Sequence, residues 1–241
     1  MTAATGAPAI DLAVVGADEA AWFDVAATLP CWRPPGADRR VVVVAPHPDD
    51  ETLGVGGTIA SVAALGAEVT VVCVTDGEAA PSALAPGPLA ELRRVELDRA
   101  VGRLTPTAAL VRLGLPDGGL AAVADVLADR LAAIIRPDDV VLATLDGDGH
   151  PDHDVTGAAA RLAAVMRGAE LWWYPVWAWH WHDPQHSAIT GGRRIDLAPE
   201  ARRAKAAAAA EYVSQLDGPA AVVPATHLRR CLRPFEVLIA P

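Results

Sequence analysis

The sequence predicts an α/β protein: a Rossmann-like, three-layer α/β/α arrangement around a mostly parallel sheet, with its site at the carboxyl ends of the strands. Three observations carry this. Short β-branched runs such as 41–45 (VVVVA) are apolar on both faces, as strands buried between two helix layers must be. They alternate with helical segments of about ten to fifteen residues, which calls for right-handed crossovers and parallel strands. The segments after the first four predicted strands, APHPDDE, TDGE, GLPDGG and LDGDGHPDH, are all polar. They fall at the one edge of an open sheet where ligands bind.

Taken in order, residues 1–39 read as an N-terminal extension packed on the same domain, with a short strand at 11–16, a helix near 17–28 and a break at Pro34-Pro35-Gly36. Residues 40–241 form the main domain. After the 41–45 strand, small residues at 52–65 suit a helix packed closely on the sheet. EVTVVCVT (68–75) is a second buried strand, closed by Asp76-Gly77. A Pro- and Gly-rich loop leads to a helix over 89–104, whose apolar positions Leu89, Leu92, Leu97, Val101 and Leu104 favour one side. Strands at 108–113, 140–144 and 171–176 alternate with helices at 120–135 and 155–166. Beyond 176 the pattern is looser: a tryptophan-rich stretch, a turn at Gly191-Gly192, an Ala-rich helix over 199–213 and a strand at 235–240. Read in strand phase, Trp173, Trp177, Trp179 and Trp181 share one face, with His180 and His182 on the other.

With 241 residues, 52% hydrophobic and 21% charged, the chain can bury a sizeable core and is not globally disordered. Twenty Lys+Arg against thirty Asp+Glu give a net charge of −10, which disfavours nucleic acid or an anionic membrane surface as partner. Three widely spaced cysteines form no CxxC pair, so they offer neither a disulfide framework nor a thiolate metal site. That usage suits a reducing, cytoplasmic setting. The N-terminus lacks a basic leader and no run of ~18 apolar residues occurs, so neither a signal peptide nor a membrane span is expected.

The chemistry concentrates in two loops. His47, Asp49 and Asp50 follow the first strand, and His150, Asp152 and His153 follow the fourth. Imidazole and carboxylate together suit zinc or another divalent transition metal, and three protein ligands leave a position open. His47-x-x-Asp50 lets two side chains of a tight loop converge, and His153 completes the set from the neighbouring strand end. Asp49 is then a carboxylate beside the metal, placed as a general base. Each segment alone would also serve as turn and helix-capping chemistry. Two such clusters at adjacent strand ends favour the metal site.

At these residues the chain resembles a known family. VVVVAPHPDDETLGVGGTIA and GHPDHDVTG are similar to the paired HPDDE and HPDHxxxG motifs of the LmbE-like, or PIG-L, de-N-acetylases. RRVEL, LGLPDGGL and KAAAAAEYVSQL resemble further family segments, so the likeness spans roughly residues 40–240. It implies zinc, or another divalent ion such as iron(II), held by His47, Asp50 and His153. It also implies Asp49 as catalytic base, His150 as a cationic acid or oxyanion partner, and Arg93 and Asp117 as contacts to sugar hydroxyls. The activity implied is removal of an acetyl group from a small N-acetylglucosamine-type glycoconjugate by metal-activated water, with Glu51 orienting the loop. One departure stands out: several members carry tyrosine where this chain has Asp148, which could instead pair with His150 and raise its pKa.

Two rival readings follow from the same residues. Two histidines and a carboxylate also make the facial triad of iron(II) oxygenases, although the HPDD spacing speaks against it. A non-catalytic Rossmann-like sugar-binding protein would keep the fold, but would normally lack a ligand or the base. The tryptophans suit a sugar-stacking rim, core packing or an interface of a homo-oligomer. His180, His182 and His186 read as surface or supporting histidines in preference to a further metal site.

Overall fold

The computed structural model describes residues 18–217 and 221–241; the strand expected at 11–16 lies outside them. The main sheet consists of β1 (Val41–Ala45), β2 (Val69–Cys73), β3 (Ala109–Arg112), β4 (Val140–Thr144) and β5 (Glu170–Tyr174). Its order is β3-β2-β1-β4-β5, and every neighbouring pair is parallel. Side-chain alternation along β1 splits the core in two. Val41 and Val43 join Ile59 of α2 (Asp50–Ala64), Leu97 of α3 (Pro86–Leu104) and Ala208 of α7 (Pro199–Ala209). Val42 and Val44 join Leu127 and Leu131 of α4 (Ala124–Ile134) and Ala160 of α5 (Pro151–Arg167). The result is the expected three-layer α/β/α fold.

From β1 the chain winds outward through β2 to β3, then crosses back to place β4 on the other side of β1. The loops leaving β1 and β4 therefore diverge and open a crevice between them, the topological switch point of such sheets. Both His/Asp clusters sit on these two loops.

Several boundaries differ from expectation, each for a tertiary reason. The helix expected over 120–135 opens as a 3-10 turn (Leu120–Val123) before α4, where Asp152 accepts the Leu120 N–H at 3.4 Å. The Ala-rich helix ends at Ala209, and the chain turns so that buried Tyr212 can donate its hydroxyl to Glu51. A short α8 (Val213–Leu216) follows. The strand phase expected for the tryptophan-rich stretch does not occur. Strand β5 stops at Tyr174, because the Asp148 carboxylate gathers the N–H groups of Val176, Trp177 and Ala178 at 2.8–3.0 Å. The chain bends there into a helical turn, α6 (Ala178–Trp181). Helical spacing then stacks Trp181 on Trp177 at 4.9 Å, while Trp179 turns the other way to meet Trp22 edge-on at 5.0 Å.

Trp22 belongs to α1 (Glu19–Thr28), and Glu19 of the same helix holds Arg233 at 2.6 and 2.7 Å. A two-stranded antiparallel sheet, β6 (Arg193–Asp196) with β7 (Phe235–Leu238), docks on β5 through the mutual bonds of Trp173 and Ile239 at 2.8 Å. That covers the exposed edge of the main sheet. β6 was not expected; RRID is too short and polar to read as a strand. Between these elements lies α9 (Ala225–Cys231). From β7, buried Glu236 accepts the N–H groups of Gly57 and Thr58 at 2.8 Å and pairs with Lys205 at 2.6 Å. This carboxylate substitutes for acceptors that α2 loses where Val55 departs from helical geometry.

Candidate metal centre

The loop after β1 is wound tightly enough to aim three consecutive acidic residues in three directions. Asp49 has φ 132°, a conformation that L-residues rarely adopt. Two groups hold it there. Its carbonyl accepts the Thr52 and Leu53 N–H groups at 3.0 and 2.8 Å, and its own N–H reaches the Glu51 carboxylate at 3.1 Å. Glu51 is fully buried and also accepts the hydroxyls of Thr52 and Tyr212. Burial raises its pKa above the usual carboxylate value. Glu51 thus orients the loop, as expected, and the late Ser-Gln helix supports it: Gln215 donates to the Pro48 carbonyl.

On the second loop, Pro151 starts α5 and His150 caps it, its Nδ1 accepting the Asp152 N–H at 3.2 Å. Close approach of this helix to the end of β4 depends on Gly157, where a Cβ would come within 2.5 Å of the Thr144 carbonyl. That contact is the structural reason for the glycine four residues after His153.

Ligating atoms of His47, Asp50 and His153 all lie within 4.8 Å of one another. The Asp50 carboxylate accepts the His47 backbone N–H at 3.0 Å and lies 3.1 Å from His47 Nδ1 and 3.2 Å from His153 Nε2. His153 Nε2 is buried and makes no hydrogen bond, while Nδ1 bonds Asp148 at 2.8 Å. A carboxylate fixing one nitrogen of a histidine leaves the other as a lone-pair donor, the arrangement typical of metal-bound imidazole. His47 is built alike: Nδ1 faces Asp50, and Nε2 faces Asp117 at 3.2 Å and Asp152 at 3.4 Å. His47, Asp117 and Asp152 form a second group of suitable spacing. Occupation of that group would leave out His153, whose Nδ1 is fixed by Asp148 and whose buried Nε2 faces Asp50, so the donor set favours His47, Asp50 and His153.

The charges fit a cation. Burial works against charge on His153, but the Asp50 and Asp148 carboxylates outweigh it and carry its pKa to about 9. His47 is pushed well up despite burial, by Asp117, Asp152 and Asp50. Burial and the Asp50 charge push Asp49 well above the carboxylate range. His150 goes the other way, to about 3, through burial and the charges of His153 and His47. It is therefore a neutral imidazole whose Nδ1 is an acceptor, which leaves Nε2–H as a donor. Asp148 contacts His153 and not His150, so the expected Asp148–His150 pair is replaced by one that supports a ligand.

The protons on His47 and His153 compete with metal. Because the folded pKa of His153 is raised from 6.5 to about 9, its proton-linked stability is complete below pH 6.5 and lost as pH rises through 9. Metal affinity should strengthen over the same window, by about tenfold per unit for each proton displaced, and level off above it. Chelator-competition titrations at pH 6.5, 7.5 and 8.5 check this, and a flat affinity would contradict it.

A cavity of about 450 Å³ opens above the centre, with His47, Asp49, Asp50, Arg93, Asp117 and His150 at its wall. His153 lies fully buried below it. Arg93 donates to the Gly77 carbonyl at 2.7 Å, while its Nε has no hydrogen-bond partner. Asp117 accepts the Ala79 N–H at 2.8 Å as well as facing His47. The fold thus brings all seven expected site residues together. Asp152 and Asp148 were not among them, although both lie within DGHPDH; Asp152 also accepts the Gly118 N–H at 2.8 Å and ties the β3 loop to His47. Of the other histidines, His182 bonds Ser187 at 3.1 Å, exposed His186 bonds Asp183 at 3.0 Å, and His180 is buried. Among the described residues the only metal-competent groups are the two that share His47.

A parallel α/β fold with two histidines and a carboxylate gathered at its switch point defines a class of α/β proteins with a candidate metal centre. Within it the chain belongs to the PIG-L (GlcNAc-PI de-N-acetylase) family, whose model matches residues 42–164. A 1D-myo-inositol 2-acetamido-2-deoxy-alpha-D-glucopyranoside deacetylase of Thermobifida fusca is 37% identical over 148 residues, 48% of this chain and 51% of that protein. The enzyme of the same name from Streptomyces avermitilis is 34% identical over 225 residues, covering 75% and 74%. The chain spans about half to three quarters of the length of these relatives. Among solved structures, the A40926 pseudoaglycone deacetylase Dbv21 superposes with a TM-score of 0.61 at 28% identity, over 83% of this chain and 96% of that one.

Proposed function

We propose that this chain is a metal-dependent hydrolase that removes an acetyl or related acyl group from the amide of an N-acylated amino sugar. One observation carries the reading: His153, oriented by Asp148 at Nδ1, brings its buried Nε2 together with Asp50 and His47 beneath a cavity that also holds the Asp49 carboxyl. The relatives named as deacetylases support it. When bound by His47, Asp50 and His153, a divalent ion, for which we favour zinc, supplies Lewis acidity toward the amide carbonyl and toward water.

The chain's own groups do the rest. Asp49 takes the proton of the attacking water and returns it to the departing amine; burial and the Asp50 charge raise its pKa and so make it a stronger base than an ordinary carboxylate. His150 Nε2–H donates to the carbonyl oxygen as charge develops there, a task for a neutral donor fixed in advance by its Nδ1 bond. Asp148 and the pair Asp117 and Asp152 hold the two histidines in orientation. Arg93 and the remaining lone pairs of Asp117 meet substrate hydroxyls at the cavity wall. No described helix is long and apolar enough to cross a membrane. We assign the reaction to the cytoplasm on the three free cysteines, whose thiols a reducing compartment preserves.

The test is amine release from methyl N-acetylglucosaminide and longer N-acyl homologues by the zinc-loaded chain. Activity that chelator removes and zinc restores is expected. A fully loaded chain that releases no amine from any of them would contradict the reading.

A further inference from the structure

The loop between β4 and α5 is intrinsically loose. Gly147 and Gly149, at φ 104° and 96°, flank Asp148 with backbone that only glycine takes up freely. Yet this loop carries Asp148, which supports His153, and leads directly into His150 at the cavity wall. Two contacts fix it. From α5, one carboxylate oxygen of Asp154 accepts the N–H groups of Gly147 and Gly149 at 3.1 and 3.2 Å. From the other side, the ring of Trp181 lies against Gly149 so closely that a Cβ there would stand 3.0 Å from Cε3 and 3.5 Å from Cζ3. Glycine is therefore required at 149 for the space the ring takes as well as for its backbone.

Trp181 is itself held in place. It stacks on Trp177 at 4.9 Å with 14° between the planes, and Trp177 stacks on His227 at 4.3 Å with 2°. His227 is fully buried on α9, and the Trp177 N–H is bound by Asp148 at 2.8 Å. A column of three rings thus runs from α9 along α6 to the residue before His150. Such a column supplies the rigidity that a loop with two left-handed glycines lacks.

We propose that Trp181 is a positioning residue, which pins Gly149 so that His150 is in place for the carbonyl oxygen as charge develops there. This rests on the hydrolase reading above for the task of His150, and on the ring column for what holds it. A donor to a developing charge has to be fixed beforehand, and a displacement of about 1 Å at such a group costs about 10²-fold in rate. Trp181 does not line the cavity, so its loss bears on turnover and not on substrate binding.

Trp181→Ala is expected to lower kcat by about 10–100-fold, with KM and metal content near wild type. Trp181→Phe, which keeps a ring on Trp177, should recover most of the loss; Trp181→Leu, which fills space without a ring, should not. That second pair carries the comparison if the alanine variant folds poorly. A double-mutant cycle with His150→Ala separates positioning from general structure. If Trp181 acts through His150, replacing it in the His150→Ala chain costs little more. An equal loss of kcat in both backgrounds, or no loss in either, would overturn the inference. Hydrogen exchange of the Gly147 and Gly149 amides in the metal-loaded chain reads the pin without turnover. It should quicken on the order of tenfold in Trp181→Ala and stay near wild type in Trp181→Phe. Unchanged exchange overturns the inference whether or not amides are cleaved. Quickened exchange in a chain that cleaves no amide would sink the hydrolase reading and leave the pin on Gly149 standing.

Discussion

Asp49→Asn is expected to lower kcat/KM by about 10³-fold while metal content stays at the wild-type level. General-base catalysis by one positioned side chain contributes about 10²–10⁴, and the amide of asparagine can neither accept the proton of water nor return it. The substitution suits the test because it is nearly isosteric. Asparagine also tolerates positive φ better than most residues, so the backbone at 132° and its bonds to Glu51, Thr52 and Leu53 should persist. Kinetics beside metal analysis of the same preparation checks both halves. A variant with normal turnover would remove Asp49 from the mechanism. One that had lost its metal would make Asp49 a ligand.

Asp148→Asn should be costly in a different way. The carboxylate is wholly buried and accepts four hydrogen bonds, from the N–H groups of Val176, Trp177 and Ala178 and from His153 Nδ1. An amide keeps one acceptor oxygen and turns an NH2 group toward donors, leaving buried N–H groups unsatisfied at about 1–3 kcal/mol each. We expect stability to fall by about 2–4 kcal/mol and metal affinity by about 10–100-fold, since His153 loses the partner that fixes its orientation. Urea unfolding of the metal-free chain and chelator competition measure the two separately. A variant as stable and as tight-binding as the wild type would show that the network is incidental.

The centre of the fold was legible because its signals are local. Continuous β-branched runs mark buried strands, and each is followed by a polar loop at the same sheet edge. Hence β1 and β4 have the expected bounds, and their loops carry His47, Asp50 and His153 to one place. The bend after Tyr174 was not legible, because its cause is a carboxylate 28 to 30 residues away in sequence. The Ala-rich helix likewise ends where it does because Tyr212 must reach Glu51, 161 positions earlier. Strand-phase reading of the tryptophans assumed that a β-prone run stays a strand, and tertiary hydrogen bonding overrode that preference. Asp148 and Asp152 stand out in the second motif, but which histidine each supports was not legible: the sequence pairs Asp148 with His150, whereas the fold turns it to His153 and sets Asp152 against His47.

The measurement that bears most directly on the account is metal content per chain, for wild type and His153→Ala purified alike and then supplied with zinc. The account predicts close to one bound ion in the wild type and almost none in the variant, whose remaining His47 and Asp50 are too few to hold it. Equal occupancy in both would place the ion at His47, Asp117 and Asp152 instead, and would contradict the assignment of His153 as a ligand. A wild type that binds no metal would contradict the metal centre altogether.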